Sequence, residues 1–360
     1  MSCKLKVTFV GPRTGEWPGG GFRVVYEYAN HLSRRGHVVT VVHPARLVVN
    51  PTRLDYLKNA VRYVLRKLDG RYKPDAWLKV DPEVRLVCVP SLSERFVPDA
   101  DVVVATAWQT AEWVSQYSRS KGRGFYFIQH LETWNGPEER VYATWKAPLQ
   151  KIVPSKWLAE IARGLGETAV YIPNGLDIDT FQIITASEGR RPDQLMMLYH
   201  NAEWKGCDDG LRALALVRER QPNIHVNLFG VPVRPKGLPD WIEYYQSPPP
   251  ELLLQLYNQA AIFIAPSRTE GWGLPGCEAL LCGAALVATD IDGHREFAFN
   301  GETALTSPAK SPNALAENIL RLIEDPGLRI QLAKKGYEFV RQFTWERATT
   351  SFEATLCAQA

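Results

Sequence analysis

Short apolar runs alternate with helical segments along this chain, and this order limits the folds that it can adopt. The run "KLKVTFVG" has the composition of a buried strand, "FRVVYEYANHLSRRGH" carries apolar residues at helical spacing, and "VVTVVHP" is again strand-like. Units of this β-loop-α-β kind build parallel sheets. The pattern recurs in "DVVVATAWQTAEWVSQYSRSKG" and "GFYFIQH". The sequence therefore predicts an α/β protein with parallel sheets.

A turn-rich joint, "YIPNGLDIDTF", divides this alternation near its middle, and the pattern then restarts with "LMMLYHN" and "CDDGLRALALVRERQP". At 360 residues, the chain is also long for a single core. We predict two Rossmann-like, doubly wound parallel-sheet domains, residues 1–173 and 174–344, facing across a cleft. The helical segment at about residues 345–360 would be free to pack back on the first domain.

Composition excludes several classes of protein. The net charge of +3 gives no indication of nucleic-acid binding, and 45% hydrophobic with 22% charged residues is typical of a soluble globular protein. The six cysteines form no C-x-x-C pair, which predicts reduced thiols in a cytoplasmic protein. No apolar run approaches the roughly 20 residues of a membrane span, and the chain starts without a signal-peptide pattern.

One segment combines basic charge with helical periodicity. Residues 53–73 carry seven basic residues against two acidic ones, and apolar residues recur at helical spacing: Leu54, Leu57, Val61, Val64, Leu65 and Leu68. A basic amphipathic helix of this kind can lie on an anionic membrane, which would place the protein peripherally at the inner membrane surface. The alternative is a helix packed on its own domain with a basic face in solvent.

The stretch "AIFIAPSRTEGWGLPGCEALLCG" has the strand-loop-helix order of a ligand site at the carboxyl end of a parallel strand. Unpaired amides at the helix start favour a phosphate. Gly271, Gly273 and Gly276 would let the backbone approach a ligand closely. Glu278, expected in the first helical turn, and Glu270, on the loop, could each accept hydrogen bonds from sugar hydroxyls.

This E-x7-E spacing around G-W-G-L-P resembles the signature of retaining glycosyltransferases of family four, among the group 1 glycosyl transferases, which have the GT-B fold. The similarity extends along nearly the whole chain. "PGGGFRVVYEYANHLSRRGHVVTVV" is similar to the family's first glycine loop, helix and second strand. "IVPSKWLAEIA" and "YIPNGLD" resemble its interdomain joint, and "VATDIDGHREF" and "FTWERA" resemble later landmarks.

The resemblance implies transfer of a sugar from a nucleotide-diphosphate sugar to a hydroxyl acceptor with retention of anomeric configuration, in cell-surface polysaccharide or glycolipid synthesis. It implies three catalytic residues, with His130 facing the reacting sugar, Lys205 on the diphosphate and Glu270 on the transferred sugar. It also implies a donor-binding set in which the glycines and Leu274 offer backbone and Glu278 binds ribose: Gly20, Gly21, His200, Gly271, Trp272, Gly273, Leu274 and Glu278.

The chain departs from the family at one position. The family's arginine in G-R-x-x-x-x-K-G is replaced by His200 and Asn201 in "LYHNAEWKG". A neutral imidazole does not bind phosphate bidentately as a guanidinium does. Either His200 is charged beside the diphosphate, or Arg13 or Arg23 supplies the charge, or activity is weak.

No cofactor or metal is expected to be required. The pattern D-x-D occurs at Asp177–Asp179 and Asp290–Asp292, but such short patterns are common by chance, and a helix start with Lys205 can neutralise a diphosphate. The acceptor is expected to be a sugar, a lipid-linked molecule or a small molecule. It would dock on the first domain around Trp17, residues 130–134 and the 44–82 insert.

Other functions remain open on sequence grounds. A dinucleotide-dependent oxidoreductase is disfavoured because "GPRTGEWPGGGF" lacks G-x-G-x-x-G spacing and "VVTVVHP" ends without an acidic residue. A GT-B enzyme that catalyses another reaction, such as a sugar-nucleotide epimerase or a phosphorylase, would show the same sequence patterns. The missing arginine also leaves open a non-catalytic sugar-nucleotide-binding protein.

Overall fold

The computed structural model describes residues 3–16, 18–47 and 52–358, so the predicted acceptor contact Trp17 and positions 48–51 of the 44–82 insert lie outside the described residues. Contacts divide the chain into two units. The first extends to Gly175 and includes the residues from Trp345 onward, and the second is Leu176–Thr344.

The first unit contains one seven-stranded parallel sheet with the order β3-β2-β1-β4-β5-β6-β7. Its strands are β1 Lys6–Val10, β2 Val38–Pro44, β3 Arg85–Val89, β4 Val102–Ala105, β5 Arg123–Phe127, β6 Gln150–Val153 and β7 Ala169–Tyr171. Its helices up to the joint are α1 Gly20–Arg34, α2 Arg53–Asp69, α3 Trp108–Val114, α4 Glu138–Trp145 and α5 Lys156–Gly164. The strand order reverses between β1 and β4, as in a doubly wound sheet.

The second unit contains a six-stranded parallel sheet with the order β10-β9-β8-β11-β12-β13. Its strands are β8 Gln194–Leu198, β9 His225–Gly230, β10 Ile242–Gln246, β11 Ile262–Ala265, β12 Ala285–Thr289 and β13 Leu305–Ser307. The helices are α6 Cys207–Arg220, α7 Pro250–Gln259, α8 Leu274–Leu281, α9 Pro312–Glu324 and α10 Pro326–Val340. Here the order reverses between β8 and β11.

Central strands of both sheets are apolar along their whole length. All four residues of β4, all four of β11 and all five of β12 are buried. Strands covered by helices on both faces bury every side chain, so they read as continuous apolar runs instead of alternating ones. The two all-parallel sheets confirm the predicted doubly wound α/β architecture.

The last helix, α11 (Trp345–Cys357), packs in the first unit, where it contacts α1. The fully buried Phe352 stacks on Tyr28 with ring centroids 4.3 Å apart and lies 6.2 Å from Phe9. Arg35, which follows α1, forms 2.6 Å ion pairs with Glu346 and Glu353 of this helix. The C-terminal segment thus completes the core of the first unit.

A disulfide joins Cys3 to Cys357, and the other four cysteines are buried free thiols: Cys88, Cys207, Cys277 and Cys282. The sequence-based prediction of reduced thiols is therefore wrong for Cys3 and Cys357. Their separation of 354 residues carried no local signal. Only the packing of α11 in the first unit brings the two ends of the chain together.

The orientation of α2 also differs from one sequence-based alternative, in which its basic face would lie in solvent. All six periodic apolar residues of α2 are exposed, and the polar residues Asn59 and Arg66 face the unit. The solvent-facing surface of α2 is therefore mainly apolar. Among the described helices, none is both long enough and apolar enough to cross a membrane.

We predict that Phe352→Ala lowers the free energy of unfolding by about 3–5 kcal/mol, because it deletes a fully buried ring and leaves a cavity. Urea denaturation followed by tryptophan fluorescence measures the loss. Ser351→Ala, at the neighbouring exposed position, is the matched control and should change stability by less than about 0.5 kcal/mol. Equal losses of unfolding free energy in the two variants would show that Phe352 of α11 contributes nothing to the core.

Candidate functional site

The loops that follow β8 and β11 bring a lysine and a glutamate together at the carboxyl edge of the second sheet. Lys205 ends a short 3-10 turn, Glu203–Lys205, and Glu270 lies in the loop between β11 and α8. Lys205 Nζ donates to both carboxylate oxygens of Glu270, at 2.7 and 2.9 Å. Ser267 Oγ donates to Glu270 Oε1 at 2.8 Å. Because β8 and β11 flank the reversal of strand order, this edge is where open α/β sheets bind ligands.

Charge pairing determines the protonation of Glu270. Burial alone would raise the pKa of this carboxyl group, but the attraction of Lys205 and His294 and the hydrogen bonds from Lys205 and Ser267 outweigh burial, so its pKa lies below the usual value. Glu270 is consequently an anion at neutral pH. It can accept hydrogen bonds from hydroxyl groups, and it cannot donate a proton.

The ion pair lines a recess of about 330 Å³, a volume that includes the solvent at its mouth. Its polar lining residues are Lys205, Ser267, Glu270 and His294, and the start of α8 contributes Gly273, Pro275 and Gly276. Lys205 is the only lysine or arginine among the described lining residues. The recess therefore combines one cation, one anion and a helix N-terminus.

Backbone geometry at the start of α8 depends on glycine. Gly273, which precedes the helix, has φ +108°, in the left-handed region that favours glycine. A Cβ atom there would lie 2.9 Å from His294 Cδ2. Pro275 lacks an amide hydrogen, and the Gly276 amide donates to the Gly273 carbonyl at 3.1 Å. The Leu274 amide therefore remains a candidate for binding an anion.

Glu278 occupies a different position from the one expected. Because α8 begins at Leu274, Glu278 is in its second turn, and the prediction of a first-turn residue is wrong. Its side chain is buried and accepts a hydrogen bond from the Tyr257 hydroxyl at 3.0 Å. Tyr257 thus fixes the orientation of this carboxylate.

Trp272 contributes its side chain to the core. The ring is 2% exposed and lies 5.2 Å from Phe343 and 5.7 Å from Phe297, measured between centroids. Trp272 can therefore contact a ligand only through its backbone.

His200 presents a defined tautomer. Its Nδ1 accepts a hydrogen bond from the Ala202 amide at 2.9 Å, so the ring proton is on Nε2. Burial and the nearby positive charge of Lys205 lower the pKa of His200, although Glu270 acts in the opposite direction. The imidazole is therefore neutral at pH 7 and offers one N–H donor, not a second cation.

The predicted residues of the first unit lie on two neighbouring segments of that unit. Gly20 and Gly21 are the first residues of α1, and His130 follows β5. Gln129 Nε2 donates to the Gly21 carbonyl at 3.0 Å, which joins these two segments. His130 Nδ1 accepts from the Leu131 amide at 2.8 Å, so its Nε2 carries the proton in the neutral ring.

Sequence reasoning did not identify Ser267, His294 or Tyr257. His294 lies in "GHREF" beyond β12, at the same carboxyl edge as Glu270, and its Nδ1 lies 2.9 Å from the Thr289 carbonyl. The position of His294 after a parallel strand was a usable signal. Ser267 and Tyr257 gave no comparable signal, because their roles depend on contacts with Glu270 and Glu278.

Neither D-x-D pattern forms an evident metal site. Arg295 pairs with Asp290 at 2.7 Å and with Asp292 at 2.9 Å, and Asp177 accepts from the Thr180 amide. Among the residues that the structure describes, no group of three or more His, Cys, Asp or Glu side chains could hold a metal ion.

Residues 182–339 match the family model of glycosyl transferases group 1. This range lies within the second unit and contains Lys205, Glu270 and Glu278. The second unit is therefore similar in sequence to the group 1 glycosyl transferases.

Curated relatives of this chain include glycosyltransferases of several kinds. A match to an uncharacterized glycosyltransferase of Methanocaldococcus jannaschii is 35% identical over 25% of this chain and 26% of that protein. The D-inositol 3-phosphate glycosyltransferase of Corynebacterium glutamicum is 29% identical over 39% of this chain and 38% of its own length. The phosphatidyl-myo-inositol mannosyltransferase of Mycobacterium tuberculosis H37Rv is 24% identical over 95% of this chain and 93% of its own length. The first two matches thus span well under half of those relatives.

Solved structures match along nearly the whole chain. Anabaena HepE, solved in complex with UDP and glucose, has a TM-score of 0.76 at 16% identity and covers 98% of this chain and 100% of that one. Sucrose-phosphate synthase of Thermosynechococcus elongatus has a TM-score of 0.73 at 18% identity and covers 99% of each chain. Together with the two all-parallel sheets, these similarities confirm the predicted GT-B fold class.

We predict that Lys205→Met destabilises the protein by about 2 kcal/mol at about pH 8 and by clearly less at about pH 5. In the wild type, the lowered pKa of Glu270 contributes stability above the unfolded value, and this contribution is lost as the pH falls through the folded value. Without Lys205, burial raises the pKa of Glu270, so its charge costs stability at high pH and acid relieves the cost.

Urea denaturation at the two pH values measures the difference between the wild type and Lys205→Met. The double variant Lys205→Met/Glu270→Gln is the control, because it contains no buried charge at either position and should lose the pH dependence. An equal destabilisation by Lys205→Met at both pH values would contradict a charge-based role for the pair.

Proposed function

We propose that this chain is a retaining glycosyltransferase of family four that moves a sugar from a nucleotide-diphosphate sugar to a hydroxyl acceptor. The observation that carries the proposal is the Lys205–Glu270 ion pair in a recess at the start of α8, within the residues that match the family model of glycosyl transferases group 1. A cation and a helix N-terminus suit a diphosphate, and the adjacent anion suits sugar hydroxyls.

Lys205 can serve both partners. Its ammonium group has three N–H donors, and the two contacts with Glu270 use at most two of them. A donor β-phosphate can take a hydrogen bond from the same ammonium while sugar hydroxyls replace part of its contact with Glu270. The leaving diphosphate gains negative charge as the glycosidic bond breaks, so preorganised donors at this place stabilise the transition state.

The remaining donor contacts follow from the geometry of the second unit. The Leu274 amide and the Nε2–H of the neutral His200 offer two further hydrogen bonds to phosphate oxygens. Glu278, oriented by Tyr257, accepts from the ribose hydroxyls. The backbone of Gly271, Trp272 and Gly273 borders the transferred sugar, since the Trp272 ring is buried in the core.

We assign supporting roles to three residues of the first unit. The Nε2–H of His130 donates to a hydroxyl of the reacting sugar, and Gly20 and Gly21 expose backbone at the start of α1 to the diphosphate. Retention then follows from attack on the same face, with the leaving phosphate taking the acceptor proton. The transition state has oxocarbenium-ion character. A covalent intermediate on a carboxylate is the alternative route to retention.

The acceptor in our proposal is a lipid-linked molecule or a polysaccharide at the cell surface. One relative along 95% of the chain acts, by its name, on phosphatidyl-myo-inositol, and others act on D-inositol 3-phosphate. The HepE structures contain UDP, glucose or UDP-glucose, which supports a nucleotide-sugar donor for this fold.

We predict that Glu270→Gln lowers the rate of sugar transfer by about a hundredfold or more, because the neutral amide cannot accept hydrogen bonds with two anionic oxygens or balance Lys205. The donor is first identified by thermal shift against a panel of nucleotide sugars, since a bound ligand raises stability by mass action. Product NMR then gives the rate and the anomeric configuration.

Glu302→Gln, at an exposed position of the same unit, is the matched control and should retain the wild-type rate. Near-normal transfer by Glu270→Gln would contradict the assigned site, and an inverted product would contradict retention. Donor binding without turnover across an acceptor panel would instead favour a non-catalytic sugar-nucleotide-binding protein, which the missing arginine makes the second candidate. Interconversion of the donor without any acceptor would indicate an epimerase.

Transfer is also expected to continue in the presence of a chelator, because Lys205 and the α8 N-terminus carry the neutralising role that a metal has elsewhere. The measurement compares initial rates with and without EDTA after gel filtration. Activity that disappears with EDTA and returns with Mg²⁺ would show that a metal is required.

A further inference from the structure

Helix α2 presents its polar side to its own unit and its apolar side to solvent. Arg66 forms two hydrogen bonds with Glu16, at 2.7 and 3.0 Å, and Asn59 donates to the Arg46 carbonyl at 3.3 Å. Asn59 is buried, and Arg66 is partly buried by its contact with Glu16. Helices on a protein surface normally show the opposite arrangement, with the apolar stripe facing the core.

The apolar side is continuous. At 100° per residue its members fall within an arc of about 100°, and their exposed fractions range from 52% for Val64 to 80% for Leu68. The members of this outward face are Leu54, Leu57, Val61, Val64, Leu65 and Leu68. They make up six of the exposed large apolar side chains among the described residues. A patch of this kind indicates an interaction surface.

The helix has defined ends, so the outward face keeps a fixed shape. Thr52 and Asp55 form a capping box at its start, and Gly70, with φ +67°, ends it. The 17 residues of α2 extend about 25 Å, which suits a helix lying in a membrane interface.

The charged residues beside the outward face indicate what kind of surface binds to it. Lys58 and Lys67 lie on opposite borders of the apolar arc, and Arg71 and Lys73 follow the helix in exposed positions. Asp69 is paired with Arg71, and Asp55 is bound by the Thr52 cap. An apolar stripe with cationic borders matches an anionic lipid surface, where the side chains enter the acyl boundary and the lysines meet headgroups.

A second copy of this chain fits less well. Pairing of the outward face with itself would bring the lysine borders of two helices together and desolvate like charges. We propose that α2 lies on an anionic membrane surface with its outward face inserted among the lipids. This inference goes beyond sugar transfer and does not depend on it.

Co-sedimentation of the full chain with vesicles tests the proposal. We expect binding to vesicles of phosphatidylcholine mixed with phosphatidylglycerol, weaker binding at high salt, and little binding to phosphatidylcholine alone. Wild-type protein that stays in the supernatant, or that binds both vesicle types equally, would overturn the proposal.

Two pairs of variants separate the apolar and electrostatic contributions. Leu65→Gln/Leu68→Gln should lower the vesicle partition coefficient by about tenfold or more, because both side chains leave the inserted surface. The control Val38→Gln/Val170→Gln removes two exposed apolar side chains of the same unit outside α2 and should bind as the wild type does. Lys58→Gln/Lys67→Gln should weaken binding several-fold, whereas Lys4→Gln/Lys146→Gln should weaken it less.

Since all the substituted side chains lie in solvent, thermal melting should be unchanged in each variant. Wild-type binding by Leu65→Gln/Leu68→Gln would overturn the assignment to α2. Equilibrium sedimentation without lipid tests the competing occupant. A dimer that this variant dissociates, combined with no vesicle binding by the wild type, would assign the outward face to a second copy of the chain.

Discussion

The ion pair between Lys205 and Glu270 links two loops that are 65 residues apart in the chain. Each group is poorly exposed, so either charge alone would carry a desolvation cost that its partner helps to offset. The pair therefore holds the loop after β8 against the loop after β11, and with them the recess at the start of α8. Because the same two groups stabilise the unit and meet the proposed donor, stability and ligand binding are coupled at this position.

The sequence specified the fold well because parallel strands buried on both faces leave a strong local pattern. Each apolar run quoted from the sequence appears in the structure as a strand, and the strand-loop-helix order around Glu270 is also observed, with Glu270 between β11 and α8. The prediction that Glu278 lies in the first turn of its helix was wrong. The start of α8 depends on where Gly273 adopts its left-handed conformation. The contacts of Ser267 and Tyr257 have no local signature, since they are set by how separate strands pack.

Helix α2 illustrates a different limit of sequence reasoning. Periodicity correctly identified an amphipathic helix, but it could not decide which side faces the protein. That choice depends on a partner far along the chain: Glu16, in the loop after β1, pairs with Arg66, and Leu65 and Leu68 on the other side of the helix are exposed. An apolar stripe on a helix normally faces the core. In α2 the polar side faces the unit instead, because of this charge pairing.

If the recess binds a diphosphate as we propose, the absent arginine changes how its charge would be neutralised. Before a ligand binds, the charges of Lys205 and Glu270 neutralise each other. His200 is neutral because burial and the charge of Lys205 lower its pKa. In the proposed function, a bound diphosphate would draw Lys205 toward phosphate, and Glu270 would then need other hydrogen-bond donors. Sugar hydroxyls can take that place beside Ser267, which already donates to Glu270. A nucleotide diphosphate without its sugar would leave Glu270 less well paired than the complete donor does, so the proposed site would bind the donor more tightly than the nucleotide product.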